Sequence, residues 1–103
     1  MADLDRAISM AVKTGKVLFG ANTVLNSAMT GKAKLIIVAS NCPKATRENL
    51  DYYCKLSGIS LLSYPKTSLE LGRICGKPFS ISVLAIRDAG DSDILTMAEE
   101  ENV

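Results

Sequence analysis

The run Leu35-Ile36-Ile37-Val38-Ala39 constrains this chain more than any other stretch. It holds five apolar residues without a polar break, two of them Ile and one Val. A run this short and this β-branched fits a strand buried on both faces, at the centre of a sheet that helices cover. It stops abruptly at Ser40-Asn41-Cys42-Pro43, where turn-forming and polar residues take over. A buried central strand that delivers a polar loop to one end of an open sheet is a common way for α/β folds to place a binding site.

Around that strand the pattern alternates. Leu4, Ile8, Ala11 and Val12 recur at helical spacing and predict a helix from Leu4 to Thr14. Asp3 would be its N-cap, and Gly15 would close it in a left-handed conformation. Lys16-Val17-Leu18-Phe19 reads as a short strand. Gly20-Ala21-Asn22-Thr23 opens a second helix, with Val24, Leu25 and Ala28 inward and Gly31 as its stop. After the central strand, Pro43 suits the first turn of a third helix, where its missing N–H is no loss. That helix runs to about Ser57, with Leu50, Tyr53, Cys54 and Ser57 inward and Gly58 at its end.

Ile59 to Tyr64 is a third strand. Thr67-Ser68-Leu69-Glu70 has capping-box spacing and opens a fourth helix that ends at Gly76. Ile81 to Ile86 is a fourth strand. Ala89-Gly90-Asp91-Ser92 is a turn, followed by a short helical piece through Met97, and residues 98–103 form an acidic tail expected to fray. Strands alternating with helices predict one α/β domain over 1–103, a four-stranded sheet with helices on both faces. An antiparallel fourth strand would make that sheet mixed.

Several chemistries are disfavoured at once. The chain has no histidine, which removes the commonest metal ligand and general base. Cys42, Cys54 and Cys75 are odd in number and none is paired as C-x-x-C, so reduced thiols and no metal or cofactor are expected. No apolar run nears the roughly 18 residues of a membrane span. Asp3 and Asp5 at the start do not resemble a secretory signal, and the default expectation is cytoplasm. Residues 1–86 carry eleven Lys and Arg against five Asp and Glu, a net +6; residues 87–103 carry one Arg against six acids, a net −5. A basic body with an acidic tail hints at a polyanionic partner, although a solvated surface explains it as simply.

Three segments are candidates for a site. Gly20-Ala21-Asn22-Thr23 ends a strand and starts a helix, and a helix N-terminus attracts phosphate. Asn26 follows Asn22 one turn later on the same face. Ser40-Asn41-Cys42-Pro43-Lys44 leaves the central strand at the same edge if the first two strands are parallel. Gly72 to Phe79 mixes glycines, Arg73 and Lys77 with one aromatic ring, a composition suited to irregular RNA. Taken singly, helix capping, an Asx turn at Asn41 and entry of Phe79 into the core explain them as well. If the fourth strand is antiparallel to the first two, all of them meet at one edge.

Together these residues resemble a known group. Gly15-Lys16, Gly20-Ala21-Asn22-Thr23, and Gly31-x-Ala33-Lys34-Leu35-Ile36-Ile37-Val38-Ala39 with the Asn41 that follows resemble the kink-turn RNA-binding superfamily. So do Tyr52-Tyr53-x-x-Leu56-Ser57-Gly58-Ile59 and Glu70-Leu71-Gly72-x-x-x-Gly76-Lys77. Ala89-Gly90-Asp91-Ser92-Asp93-Ile94-Leu95 is similar to one branch, the large-subunit ribosomal protein "L thirty e" family of archaea and eukaryotes. The resemblance covers nearly the whole chain in order.

It implies an α/β/α sandwich that is not an enzyme and binds a kink-turn of large-subunit ribosomal RNA. Neighbouring ribosomal proteins would be its other partners, with no membrane, a monomeric free form and a place in the cytoplasmic ribosome. The RNA-binding positions it implies are Gly20, Ala21, Asn22, Thr23, Asn26, Asn41, Lys44, Lys77, Pro78 and Phe79. Alternatives are a kink-turn protein of a small ribonucleoprotein, or a small α/β nucleotide-binding module. One departure stands out. Relatives often carry Lys or Arg in the first turn of the second helix, whereas this chain has Asn22 and Thr23, and the sister family "L seven A e" has Asn-Glu there.

Overall fold

The computed structural model describes residues 2–90 and residue 94. Its elements are α1 (Ala2–Thr14), β1 (Lys16–Phe19), α2 (Ala21–Met29), β2 (Leu35–Ala39), α3 (Lys44–Ser57), β3 (Ser60–Tyr64), α4 (Ser68–Ile74) and β4 (Val83–Asp88). The sheet order is β1-β4-β2-β3. β2 and β3 run parallel in the register Leu35↔Ser60 to Ala39↔Tyr64. β4 runs antiparallel to both of its neighbours, β1 and β2. Strands β1, β2 and β3 therefore share one direction and β4 opposes them. The expected mixed, four-stranded α/β sheet is what forms.

β2 is central, and all five of its residues are buried. Its two faces feed two separate cores. Leu35, Ile37 and Ala39 pack with Ala7, Ile8 and Ala11 of α1, Leu71 of α4 and Leu84 and Ile86 of β4. Ile36 and Val38 pack with Val24 and Ala28 of α2, Leu50 and Cys54 of α3, and Val83 and Ala85. The result is three layers, with α1 and α4 on one face and α2 and α3 on the other. Each fully buried Leu or Ile contributes roughly 1.5–3 kcal/mol, so this one strand anchors both halves. Tyr53, expected inward, is half-buried, its neighbour Tyr52 is exposed, and their rings meet edge to face.

Several local expectations are corrected. Gly15 is not left-handed; a Cβ there would lie 1.9 Å from the Asp88 carbonyl oxygen, so its need is close approach of the end of β4. α1 begins at Ala2, which places Asp3 inside the helix and not at its cap. Pro43 is the N-cap of α3 and not a first-turn residue. Thr67 is the N-cap of α4 but its side chain makes no capping bond, and Glu70 reaches Arg73 instead, so the capping box does not form. β4 starts two residues later than its apolar run. The Ile81 N–H donates to the Ser68 carbonyl at 2.9 Å, which ties that buried residue to α4 and keeps it out of the ladder. Gly31, Gly58 and Gly76 do take left-handed conformations just past their helices. Of the expected last helix, Ile94 is helical and buried; its other residues and the tail 98–103 lie outside the described residues.

Candidate nucleic-acid interface

The strand directions settle which loops meet. β1, β2 and β3 end at the edge where β4 begins. Phe19-Gly20, Ser40-Asn41, Pro65-Lys66 and the loop before Val83 therefore crowd one end of the sheet. All ten residues singled out from the sequence are exposed, nine of them there or on the adjoining first turns of α2 and α3 and Asn26 in the second turn of α2. None is buried, and Phe79, at 55% exposure, does not enter the core.

The first segment is the start of α2. Gly20 is its N-cap at φ 99° and ψ 140°, a backbone that glycine adopts without strain. The first intrahelical bond runs from the Val24 N–H to the Gly20 carbonyl at 2.9 Å. The N–H groups of Ala21, Asn22 and Thr23 thus point out of the helix end. No side chain caps them and no acid lies in the first turn, so the end keeps its partial positive charge. α3 starts in the same way, with Pro43 as N-cap, no side-chain cap and no first-turn acid. A cleft of about 140 Å³ lies between the two helix starts, lined by Ala21, Asn22, Leu25, Thr46, Asn49 and Leu50. Asn26 is exposed one turn further along α2.

The second segment is the loop after β2. Asn41 is not capped by its own neighbours in an Asx turn. Its Oδ1 accepts the N–H of Ser68 at 2.8 Å and so caps α4 from across the edge. Only the amide oxygen can accept, which fixes the orientation of the group and leaves its NH2 as the available donor. The loop is held further by the Ser40 N–H to the Lys66 carbonyl at 3.0 Å and the Cys42 N–H to the Ala39 carbonyl at 3.1 Å. Lys44 stands 3.9 Å from Glu48, both highly exposed, a pair that restrains the ammonium little. Cys42 is half-buried and burial pushes its thiol up, which makes it a poor nucleophile.

The third segment runs from Gly76 to Phe79. Gly76 turns it at φ 74°, and the Lys77 N–H bonds the Gly72 carbonyl at 3.0 Å. A Cβ on Gly72 would meet the Phe79 carbonyl oxygen at 2.1 Å, so this loop lies directly on α4. The Lys77 ammonium sits 5.1 Å from the centre of the Phe19 ring, which links the loop to the end of β1.

Ser68 was not legible as part of this arrangement. Its N–H holds Asn41 and its carbonyl holds Ile81, so one residue at the start of α4 spaces the second segment from the third. Two cations at the same edge were also missed. Arg47 reaches across to the Ser63 hydroxyl at 2.5 Å. Lys66 bonds Asp5 at 3.0 Å, and Asp5 also accepts the Tyr64 hydroxyl at 2.9 Å. The signal for Lys66 was present, since Pro65-Lys66-Thr67 follows a strand as Ser40-Asn41 does. Residues 20–23, 40–44, 65–67 and 76–80 contain three lysines and no Asp or Glu. Among the described residues no cluster of His, Cys, Asp and Glu could hold a metal, and no helix is long and apolar enough to cross a membrane.

The comparisons with known proteins agree with this shape. A solved structure of a Bacillus halodurans protein of unknown function superposes with a TM-score of 0.82, covering 97% of this chain and 99% of that one at 24% identity, which shows the fold. The large ribosomal subunit protein eL30 of Methanothermobacter thermautotrophicus is 47% identical over 95 residues, covering 92% of this chain and 97% of that protein. The eL30 protein of Pyrobaculum calidifontis is 40% identical over 99 residues, covering 96% and 98%. The model of the Ribosomal protein L7Ae/L30e/S12e/Gadd45 family matches residues 2–96, and with these relatives it shows that the chain belongs to that family.

Proposed function

We propose that this protein is a non-enzymatic structural component of the large ribosomal subunit that binds a kink-turn in ribosomal RNA. The observation that carries the reading is the convergence of Gly20–Thr23, Asn41 and Lys77–Phe79, segments that themselves contain no Asp or Glu, on one edge. The eL30 relatives named above are themselves large-subunit proteins, which supports the ribosomal assignment. The free protein is a monomer, and its partners are ribosomal RNA and neighbouring ribosomal proteins in the cytoplasmic ribosome.

A bent, bulged RNA exposes base edges that a regular A-form duplex hides, and recognition works by shape and by those edges. Asn22, with Asn26 behind it, offers amides to base edges. The NH2 of Asn41 donates a further bond. The free N–H groups at Gly20–Thr23 receive a phosphate, Lys44 and Lys77 hold the backbone on either side, and Phe79 offers an exposed ring for an unstacked base. Each good base contact is worth about 1–3 kcal/mol. Because amides stand in the first turn of α2 where relatives often place cations, affinity should fall less steeply with salt than in a lysine-rich relative.

The test is titration with a kink-turn duplex and with a regular duplex of matched length at moderate salt. The kink-turn should bind much the more tightly. Equal affinity for the two would remove the proposal.

A further inference from the structure

The loop Pro65-Lys66-Thr67 carries a cation at the proposed RNA edge that the three segments leave out. Its backbone is built into the support of Asn41. The Lys66 carbonyl accepts the Ser40 N–H at 3.0 Å, and two residues on, the Ser68 N–H donates to Asn41 Oδ1 at 2.8 Å. Lys66 therefore springs from between the two bonds that hold the second segment. Its side chain is tied as well. The ammonium donates to Oδ2 of Asp5, near the start of α1, at 3.0 Å. Oδ1 of the same carboxylate accepts the Tyr64 hydroxyl at 2.9 Å. Side-chain exposure is 27% at Asp5 and 53% at Lys66, so the carboxylate is largely covered and the lysine stands half out.

An exposed ion pair by itself restrains little. This one has a buried end. Tyr64 closes β3 and packs in the α1/α4 core, where its hydroxyl cannot leave Asp5 without disturbing that core. The carboxylate is thereby fixed on one oxygen and presents the other to Lys66. Lys44 has no such anchor, since its Glu48 partner is 3.9 Å away and itself exposed. An ammonium has three N–H donors. Asp5 takes one and leaves two for an oxygen ligand at the edge. An ammonium held in place before binding also loses less freedom when a phosphate arrives.

We propose that Lys66 is a further phosphate contact of the RNA edge and that Asp5, anchored by Tyr64, is its positioning residue. The identity of the RNA rests on the kink-turn reading; the phosphate contact does not. The pairing also accounts for an acid beside a polyanion. With Lys66 in place the pair is neutral overall. Without it, a carboxylate pinned by Tyr64 is left to repel the phosphates. Removing Lys66 thus subtracts a contact and uncovers a charge, so it should weaken binding more than removing Lys44 does.

The experiment titrates the full chain and its variants with a kink-turn duplex and with a regular duplex over a range of salt. Lys66→Gln should weaken kink-turn binding by about tenfold or more and lower the log–log salt slope by roughly one. Lys66→Arg keeps the charge and should stay close to the parent. Lys55→Gln controls for net charge: it breaks a pair of similar length, 3.1 Å to Asp51, in the last turn of α3, and should leave affinity unchanged. Asp5→Asn keeps an acceptor for Tyr64 and loses the charge that holds Lys66. Lys66→Gln should therefore cost markedly less affinity in the Asp5→Asn background than in the parent. Urea midpoints establish that each variant is folded under the titration conditions. A Lys66→Gln variant that behaves like Lys55→Gln overturns the phosphate contact, and additive effects at Asp5 and Lys66 overturn the positioning role. A parent with no preference for the kink-turn removes that reading alone; the slope change of Lys66→Gln on the regular duplex then decides Lys66. A parent that binds neither RNA overturns both.

Discussion

Asn41 has one amide, with one observed task and one proposed. Its oxygen accepts the Ser68 N–H across a gap of 27 residues in sequence, and its NH2 is free to face RNA. Asn41→Ala removes both, so it should cost about 1 kcal/mol of stability as a lost cap and weaken kink-turn binding as well. Asn41→Asp keeps an acceptor, adds favourable charge at the start of α4, and removes the donor. It should melt like the parent in urea yet bind the kink-turn poorly. Parent-like binding by the Asp variant would take Asn41 away from the RNA. Gly72 poses a steric question instead. With the Phe79 carbonyl 2.1 Å from where a Cβ would stand, Gly72→Ala must push the 77–80 loop off α4. Overpacking of this kind costs roughly 1–3 kcal/mol, and the displaced Lys77–Phe79 segment should lose RNA affinity in the same titration. Unchanged stability would show that the loop yields without strain. Neither role was visible in the sequence. Asn before Cys-Pro signals a local turn, and only the pairing of β2 with β3 brings Asn41 to Ser68. Gly72 reads as an unremarkable helix glycine until the returning chain is placed on it.

The helices and strands themselves were legible, because their signals are local. The unbroken run of β2, the 3.6-residue spacing of α1 and the glycines after α2 and α3 each act within a few residues. Boundaries moved where a tertiary bond intervened, as when Ile81 gave its N–H to Ser68 and β4 began two residues late, at Val83, running on to Asp88. Strand direction decided the site and was the one link that periodicity could not supply; the edge existed only on the condition that β4 opposed its neighbours, which it does. At this scale the start of α2 invites a test in which stability and binding move in opposite directions. The first turn has no acid and no side-chain cap. Ala21→Asp should complement the helix dipole and stabilise the fold by about 0.3–1 kcal/mol. The same carboxylate would stand among the N–H groups proposed to receive a phosphate, and kink-turn affinity should fall several-fold. Thermal melting and RNA titration on one preparation check both signs. A stabilised variant that binds RNA normally would move the phosphate away from α2.

As a whole, the molecule seals its titratable core groups between layers and leaves its edges to the solvent. Cys54 belongs to the α2/α3 core and Cys75 to the α1/α4 core, and both are free thiols. Burial pushes each up to about 11, helped at Cys54 by the Asp51 carboxylate and opposed at Cys75 by Lys77. Tyr64 is raised too, first by burial and then by its bond to Asp5. The direction of the resulting pH dependence follows from proton counting. In the unfolded chain a thiol ionises near its ordinary value of about 8.5. Between there and pH 11 the unfolded state has released protons that the folded state still holds. The unfolded state then binds fewer protons, so stability falls as pH rises. The full contribution is present below about pH 8.5 and drains away as pH approaches 11. Urea midpoints should accordingly hold level up to that pH and then decline. Cys75→Ala should begin lower, from the lost packing, but decline less steeply, because one of the two raised thiols is gone. A variant curve parallel to the parent's throughout the alkaline range would show that the thiols play no part in the loss. Since the proposed RNA edge contains neither Cys54 nor Cys75, loss of kink-turn binding across the same range should track global unfolding and not precede it.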